Sequence, residues 1–288
     1  MKTLFISPHF DDLFLSSFAQ LTQAGSSGFI VYPFATPQDE NSLRWVQEEL
    51  PNVGEVGCKW QFLNEDNAEQ ADTVAKRAFI AEKLASRISE IICFERPDEV
   101  IAPLGIGLHP EHLVCALGAL LALRDLGDCS PSVVFYSDIP YCIALPLLRG
   151  GPLQLTPQRW LQAQIVQVDA NKKLAACRRY VSQFEDDGTF EEIIARASPE
   201  AVSMNYPLAS GQSSYECYWT PKGDTSRAGI EDLIAVVDAS PPQDIELLER
   251  ELLPAPSDDT PFFSPDYASR QRRWSEAIQN WAKRELVP

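Results

Sequence analysis

The sequence is poor in positive charge. It has 24 lysine and arginine residues against 41 aspartate and glutamate residues, so its formal net charge at pH 7 is −17. A field of that sign repels phosphate backbones and anionic lipid, and we therefore expect no nucleic-acid partner and no membrane partner. The chain also has no apolar run long enough to span a bilayer, and the apolar run at residues 4–6 is too short for a signal peptide.

Cysteine pairs with the spacing of metal sites or redox motifs are missing as well. The seven cysteines are odd in number, scattered, and nowhere spaced as CxxC. Most of them stand among apolar neighbours, which is typical of buried, reduced thiols, and we therefore predict a cytoplasmic protein. The cysteines are Cys58, Cys93, Cys115, Cys129, Cys142, Cys177 and Cys217.

Strand and helix patterns alternate four times in the first half of the chain. Short apolar runs predict strands at residues 2–7, 28–35, 58–63, 99–104 and 133–136. Helical spacing of apolar residues predicts helices at 13–23, 71–94 and 111–124, and at 40–50 with an end at Pro51. This alternation is the signature of a parallel, right-handed α/β sheet. The predicted fold class is α/β, a Rossmann-like three-layer sandwich with a mostly parallel sheet plus a C-terminal extension.

The second half of the chain has a less regular pattern. Helical spacing recurs at residues 170–182, 189–197 and about 265–285, and acidic and proline-rich pieces stand between the last two. We predict a main domain at residues 1–224 and a C-terminal extension at residues 225–288 that includes a terminal helix.

Histidine is scarce, and all three histidines fall in two turns. His9 follows the first predicted strand, with Asp11 and Asp12 directly behind it. His109 and His112 follow the fourth predicted strand. Ligands of open α/β sheets bind beyond the carboxyl ends of the strands, so both turns are predicted at the edge where ligands bind.

Each of the two motifs also has a purely structural interpretation. An Asp-Asp pair after a strand is commonly a helix N-cap, and HxxH alone is commonly a surface or capping feature. The conjunction favours function, because every histidine lies in one of two turns, each turn contains an acid, and both turns are predicted at one sheet edge. A dinucleotide cradle is not expected, because residues 7–12 in the first βα turn have no glycine fingerprint.

These residue types supply the parts of a metal-dependent hydrolase. Two imidazoles and one carboxylate are a common ligand set for catalytic zinc, which keeps a fourth position open for water. A second carboxylate can accept a proton from that water, and another imidazole can donate to an oxyanion or to a leaving group. The same donors also accept ferrous iron or another divalent ion.

The two turns resemble the signature motifs of the LmbE/PIG-L family of zinc-dependent N-acetylglucosaminyl deacetylases and amidases. Residues 9–12, His-Phe-Asp-Asp, match its histidine, variable residue, Asp-Asp motif. Residues 103–105 and 109–112 are similar to its Pro-Leu-Gly turn and its His-x-Asp-His motif. Weaker matches follow at residues 136–141, 173–183 and 216–219, so the resemblance covers about residues 1–220.

The resemblance implies a role for each matched position. The implied metal ligands are His9, Asp12 and His112. Asp11 is implied as the base that activates the metal-bound water, and His109 as the group that stabilises the oxyanion or protonates the amine. Glu111 replaces an aspartate that supports its neighbouring histidine.

Arg44 and Asp66 loosely match family positions that hold the sugar, although an exposed helix arginine and a loop acid are an equal alternative. The implied activity is removal of an acyl group, foremost acetyl, from the amide of an amino sugar or its conjugate. An amidase acting on another natural-product, lipid or thiol conjugate is the first alternative, and a catalytically degenerate binding protein is the second. The expected partner is a small molecule, and a homo-oligomer stays open.

Overall fold

A seven-stranded sheet organises the part of the chain that the computed structural model describes, which is residues 1–34, 40–65, 74–105, 109–139, 161–182, 194, 197, 214–222 and 234. The strands are β1 (Thr3–Ile6), β2 (Gly28–Tyr32), β3 (Lys59–Phe62), β4 (Glu99–Pro103), β5 (Ser132–Tyr136), β6 (Leu161–Val168) and β7 (Ser214–Pro221). The helices are α1 (Asp12–Ser16), α2 (Phe18–Ala24), α3 (Glu40–Val56), α4 (Val74–Glu95), α5 (Pro110–Leu126) and α6 (Ala170–Cys177).

The strand order confirms a mostly parallel sheet. It is β3-β2-β1-β4-β5-β7-β6. The strands β1 to β5 run parallel, whereas β7 pairs antiparallel with β5 and β6 pairs antiparallel with β7. The chain therefore builds one half of the sheet outward from β1 and then returns to start the other half at β4.

The helices cover both faces of this sheet. The sheet grows from β1 to β3 in one direction and from β4 to β5 in the other, so right-handed crossovers put α1, α2 and α3 on one face and α4 and α5 on the opposite face. In agreement, α4 packs on α5, and α1 packs on α6. The predicted Rossmann-like three-layer sandwich is thus confirmed. The described helices include none whose length and hydropathy would carry it through a bilayer.

The central strands are continuous apolar runs because both of their faces are covered. All of β1 is buried, and β4 is buried after its first residue. Parallel strands between two helical layers have this composition rather than an alternating one. Because β1 lies between β2 and β4, the residues that follow it emerge near the middle of the carboxyl edge of the sheet.

The prediction of one helix over residues 13–23 is wrong. Helix α1 ends at Ser16, and α2 begins at Phe18. The break has a tertiary cause, because the carboxylate of Glu216 in β7 accepts the backbone N–H groups of Phe18 at 2.9 Å and Ala19 at 3.0 Å. An acceptor at the first free N–H groups of a helix stabilises a new helix start there.

The predicted helix end at Pro51 is also wrong, because α3 continues through Pro51 to Val56. A proline inside a helix removes one backbone hydrogen bond. Beyond it, however, Val53 is buried in the core, and Asn52 donates from Nδ2 to the carbonyl of Ala176 at 3.1 Å. Packing and hydrogen bonding therefore hold the last turns of this helix in place.

Other differences concern the second half of the chain. The sequence pattern did not predict β6 and β7, and α6 ends at Cys177, before the predicted end of its helix. The predicted helices at 189–197 and 265–285 lie outside the described residues, apart from Ile194 and Ala197, so these helices and the boundary at 225 stay predictions. The six cysteines within the described residues are free thiols, two of them exposed.

A fully buried ion pair joins α6 to β7. The Nζ atom of Lys173 donates to Oε1 of Glu216 at 2.7 Å, and the side chains are 1% and 0% exposed. The second oxygen, Oε2, accepts the hydroxyl of Tyr218 at 2.6 Å. The backbone N–H of Phe18 also donates to Oε1, and that of Ala19 to Oε2. Each oxygen of the Glu216 carboxylate therefore accepts two hydrogen bonds.

We expect Lys173→Met to lower the free energy of unfolding by about 3–5 kcal/mol, because it leaves the buried Glu216 carboxylate without its cation. Urea denaturation measures this loss. The matched control is Lys172→Met, whose side chain is 76% exposed and 3.8 Å from Asp169; removing such a surface pair changes stability by about 1 kcal/mol or less. Equal effects of the two substitutions would contradict a structural role for the buried pair.

A second buried acid, Glu49 in α3, lies between two tyrosines. Its two carboxylate oxygens accept the hydroxyls of Tyr32 and Tyr180. Burial raises the pKa of Glu49 to about 8, aided by the charges of Asp11 and Asp12 and opposed by the two tyrosine hydrogen bonds. The carboxyl is therefore protonated in the folded protein at neutral pH.

Glu49→Gln should change how stability depends on pH. Between the ordinary pKa of 4.5 and the folded value of about 8, the folded state holds a proton that the unfolded state has lost. The wild-type free energy of unfolding therefore falls relative to that of Glu49→Gln as pH rises, by at most about 1.4 kcal/mol per pH unit. Urea denaturation across this window, in chelator, measures the difference.

The control for this experiment is Glu55→Gln, on the same helix, because the Glu55 side chain is 68% exposed. This variant removes an exposed carboxylate from α3 and so separates the effect of burial from that of losing a charge. A difference between wild type and Glu49→Gln that stays constant with pH would show that Glu49 is ionised in the folded protein.

Candidate metal centre

The three histidines meet where the sheet reverses its direction of growth. His9 follows β1, His109 is the N-cap residue of α5, and His112 lies in the first turn of α5 after β4. Since β1 and β4 are hydrogen-bonded neighbours, their carboxyl ends form one crevice. This is the topological switch point at which open α/β sheets bind ligands.

The imidazole rings form a compact cluster at this crevice. Each ring offers a nitrogen that lies within 4.8 Å of a nitrogen of the other two rings. The ring centroids of His9 and His109 are 4.9 Å apart, and the centroid of His112 lies 5.2 Å from each of them. His112 is buried, whereas His9 and His109 are partly exposed.

The carboxylate of Asp12 faces two of these rings. Its Oδ1 lies 3.3 Å from Nε2 of His112, and its Oδ2 lies 3.2 Å from Nδ1 of His9. The Oδ2 atom also accepts the backbone N–H of His9 at 2.7 Å. The two ring nitrogens that face Asp12 are 3.3 Å from each other. Two ring nitrogens and both oxygens of one carboxylate, all potential ligand atoms, thus lie side by side.

Two further carboxylates contact the other ring nitrogens of His9 and His112, those that do not face Asp12. Glu111 places Oε2 at 2.5 Å from Nε2 of His9, and Asp138 places Oδ1 at 2.6 Å from Nδ1 of His112. A carboxylate beside one ring nitrogen holds the proton there, which assigns the tautomer. In the neutral rings, Nδ1 of His9 and Nε2 of His112 therefore present lone pairs toward each other and toward Asp12.

The electrostatics favour a positive charge between these groups. Burial acts against protonation of His9, but the charge and hydrogen bonds of Asp12 and Glu111 outweigh it and hold its pKa well above the ordinary value. The same opposition between burial and the carboxylates of Asp12 and Asp138 raises the pKa of His112 to about 9. Burial also opposes ionisation of Asp12, yet the two imidazoles hold its pKa well below the usual range.

The ligand spacing fits a zinc ion. Zinc bound tetrahedrally at about 2.0–2.1 Å from its ligands separates neighbouring ligand atoms by about 3.3–3.4 Å. The separations among His9 Nδ1, His112 Nε2 and the Asp12 oxygens are 3.2–3.3 Å. The outer contacts of Glu111 and Asp138 are those that metal-binding histidines ordinarily make. The three histidines form the alternative ligand set, since they offer nitrogens within 4.8 Å of one another.

Asp11 occupies the N-cap position of α1, yet its side chain makes no capping hydrogen bond. The alternative interpretation of the Asp-Asp pair as a helix cap therefore does not hold for Asp11. Burial and the neighbouring charge of Asp12 raise the pKa of Asp11 to about 6, against the nearby imidazoles. Its carboxyl group thus differs from that of Asp12, which two imidazoles hold ionised.

The other predicted site residues have different positions. Arg44 lies on α3 with a side chain 58% exposed and Nε 3.4 Å from Glu48, and Asp66 lies outside the described residues. Their sugar-binding roles stay predictions. Glu111 was expected to support its neighbouring histidine, and the contact in the structure joins it to His9, 102 positions away in the sequence.

Asp138 also contacts this cluster, although the sequence analysis predicted no role for it. It is fully buried and follows β5, the strand beside β4. A signal for it existed, because it is an acid directly after a predicted strand, at the same sheet edge as His9. That signal needed the strand order before it could be connected with His112.

Comparison with known proteins identifies the fold. No protein-family model matches the sequence, and no curated protein matches it. The zinc-inhibited form of teicoplanin deacetylase is similar with a TM-score of 0.57 at 17% identity, over 78% of this chain and 100% of that one. The complex of the teicoplanin deacetylase with teicoplanin gives 0.54 at 19% identity, over 78% and 100%. The A40926 pseudoaglycone deacetylase gives 0.55 at 21%, over 77% and 97%. The chain therefore has the Rossmann-like fold found in these deacetylases.

We expect Asp138→Asn to weaken zinc affinity by about 10- to 100-fold, the usual cost of losing the partner that orients a metal-binding histidine. Asparagine keeps the size of the side chain but removes the charge that holds the proton on Nδ1 of His112. Competition with a chromophoric chelator measures the affinity. Asp98→Asn is the control, since Asp98 contacts the backbone of Lys2. Unchanged affinity in Asp138→Asn would mean that the charge of Asp138 does not support metal binding by His112.

Proposed function

We propose that the protein is a zinc-dependent hydrolase of the LmbE/PIG-L type that removes an acyl group, foremost acetyl, from the amide of an amino sugar or sugar conjugate. The observation that carries this proposal is the convergence of His9, Asp12 and His112 with the spacing of a tetrahedral zinc site. The fold shared with the teicoplanin and A40926 pseudoaglycone deacetylases supports it. The donor set also suits ferrous iron.

Each residue near the metal has a role in this proposal. His9, Asp12 and His112 hold the ion, and Glu111 and Asp138 orient the two imidazoles. When bound, zinc supplies a more acidic water and polarises a carbonyl oxygen.

Asp11 and His109 act on the proton and on the developing charge. Asp11 accepts a proton from water as the water oxygen bonds to the amide carbon. His109 donates a hydrogen bond to the carbonyl oxygen as that oxygen becomes negative, and a proton to nitrogen as the C–N bond breaks. The products are a carboxylate and an amine. The Asp11 side chain does not cap α1, and the raised pKa of its carboxyl supports its assignment as the base.

A natural-product conjugate is the alternative substrate class. The similar structures are deacetylases of teicoplanin and of the A40926 pseudoaglycone. The site residues themselves do not distinguish a simple amino sugar from a larger conjugate, because they act on the amide. In either case we propose a cytoplasmic enzyme with a small-molecule partner.

Asp11→Asn should retain zinc and lose turnover. The substitution removes the proton acceptor without removing a ligand, so we expect kcat/KM to fall by about 10²- to 10⁴-fold while zinc content stays near one equivalent. Acetate release from a panel of N-acetyl amino sugars and glycopeptide conjugates measures the activity. Asp125→Asn is the control, because Asp125 is 59% exposed and pairs with Arg124.

Full activity in Asp11→Asn would refute the assigned base. Zinc binding without acetate release from any simple sugar in the panel would favour the conjugate alternative. Wild-type protein purified without chelator that holds no metal, and takes up none when zinc is added, would instead indicate a degenerate binding protein.

A further inference from the structure

The short helix α1 carries two side chains that lie on one of its faces, Asp12 and Ser16, since residues four apart in a helix are neighbours. Asp12 faces His112, as described above. Ser16 is 1% exposed, and its Oγ accepts the backbone N–H of Ile139 at 2.9 Å. The same Oγ lies 3.3 Å from the carbonyl oxygen of Ile139. One face of α1 therefore contacts both the histidine cluster and the segment after β5.

These contacts close a ring around the metal centre. The ring runs from Asp12 to His112, from His112 to Asp138, along the backbone to Ile139, and from Ile139 through Ser16 back to α1. Ile139 directly follows Asp138, so the hydroxyl of Ser16 restrains the backbone next to the carboxylate that orients His112.

The other side of Asp138 is restrained by β7. The N–H of Ser137 donates to the carbonyl of Cys217 at 2.9 Å, and Nε1 of Trp219 donates to Oγ of Ser137 at 2.8 Å. These two bonds fix the residue before Asp138. Ser16 fixes the residue after it, so the segment is restrained at both ends by side chains or backbone far away in sequence.

The position of Ser16 is itself determined by the break between α1 and α2. The carboxylate of Glu216 holds the start of α2 at Phe18, which ends α1 at Ser16. A single continuous helix would have no such interruption beside Ser16. The break thus leaves the last residue of α1 beside the segment that follows β5.

We propose that Ser16 is a positioning residue of the metal centre, which holds Asp138 against His112 through the backbone of Ile139. The inference rests on the proposed function, because it assumes that His112 binds the metal. Its role is distinct from those of the ligands, since the Ser16 hydroxyl contacts a backbone and not an imidazole.

Ser16→Ala removes this hydroxyl, and we expect zinc affinity to weaken by about 3- to 10-fold, at or below the cost of losing a direct partner of a metal-binding histidine. The matched control is Ser17→Ala. Ser17 is adjacent and 0% exposed, and its side chain interacts with the hydroxyl of Tyr218, away from the backbone of Ile139. Chelator competition measures both affinities, and the visible spectrum of the cobalt-substituted proteins reports the ligand geometry, which we expect to change in Ser16→Ala alone.

A double-substitution cycle tests whether Ser16 acts through Asp138. If it does, Ser16→Ala should cost little affinity in a protein that already carries Asp138→Asn, because the restrained carboxylate is gone. Additive losses would overturn the inference, since they would mean that Ser16 acts on the metal by another route. Should Ser16→Ala fail to fold, Ser16→Cys fills the same space with a weaker acceptor and serves in the same cycle.

The outcomes separate this inference from the function on which it rests. Failure of the wild type to bind zinc overturns both. Zinc binding by the wild type with equal affinities and equal cobalt spectra in Ser16→Ala and Ser17→Ala overturns the positioning role and leaves the proposed hydrolase intact. A loss in Ser16→Ala that disappears in the Asp138→Asn background supports the role.

Discussion

The candidate metal centre depends on one electrostatic constraint. Glu111 and Asp138 hold protons on the outer nitrogens of His9 and His112, so the inner nitrogens turn their lone pairs toward each other and toward the Asp12 carboxylate. Three electron-rich atoms about 3 Å apart repel one another unless a positive charge lies between them. A proton can supply this positive charge, as the raised pKa values of the two histidines indicate. A divalent ion supplies a larger charge.

The fold supplies this constraint from several distant parts of the chain. The switch point between β1 and β4 brings His9 beside His112, and β5 adds Asp138 from the next strand. Strand β7 reaches the same place from the second half of the chain, where Glu216 starts α2 and Trp219 holds Ser137. A strand that carries no proposed ligand therefore contacts both the start of α2, next to the end of α1, and the residue before Asp138.

Local pattern was a good guide to the parallel half of the sheet. Strands β1, β2, β4 and β5 are short, largely buried apolar runs, and such runs can be recognised without knowing their neighbours; the edge strand β3 is mostly exposed. It failed where a distant group overrides local preference. The helix break at Ser17 depends on a carboxylate at position 216, and the passage of α3 through Pro51 depends on contacts with the core and with Ala176.

The sequence by itself determined which chemistry is available, because three histidines confined to two acid-containing turns leave few other places for imidazole chemistry. It also determined that both turns follow buried strands. The tertiary structure alone decided which atoms meet: that β1 lies next to β4, that Glu111 reaches His9, and that Asp138 reaches His112. The physical reason is that residue type and local period are properties of a segment, whereas hydrogen-bond partners are set by strand order and helix packing across the whole chain.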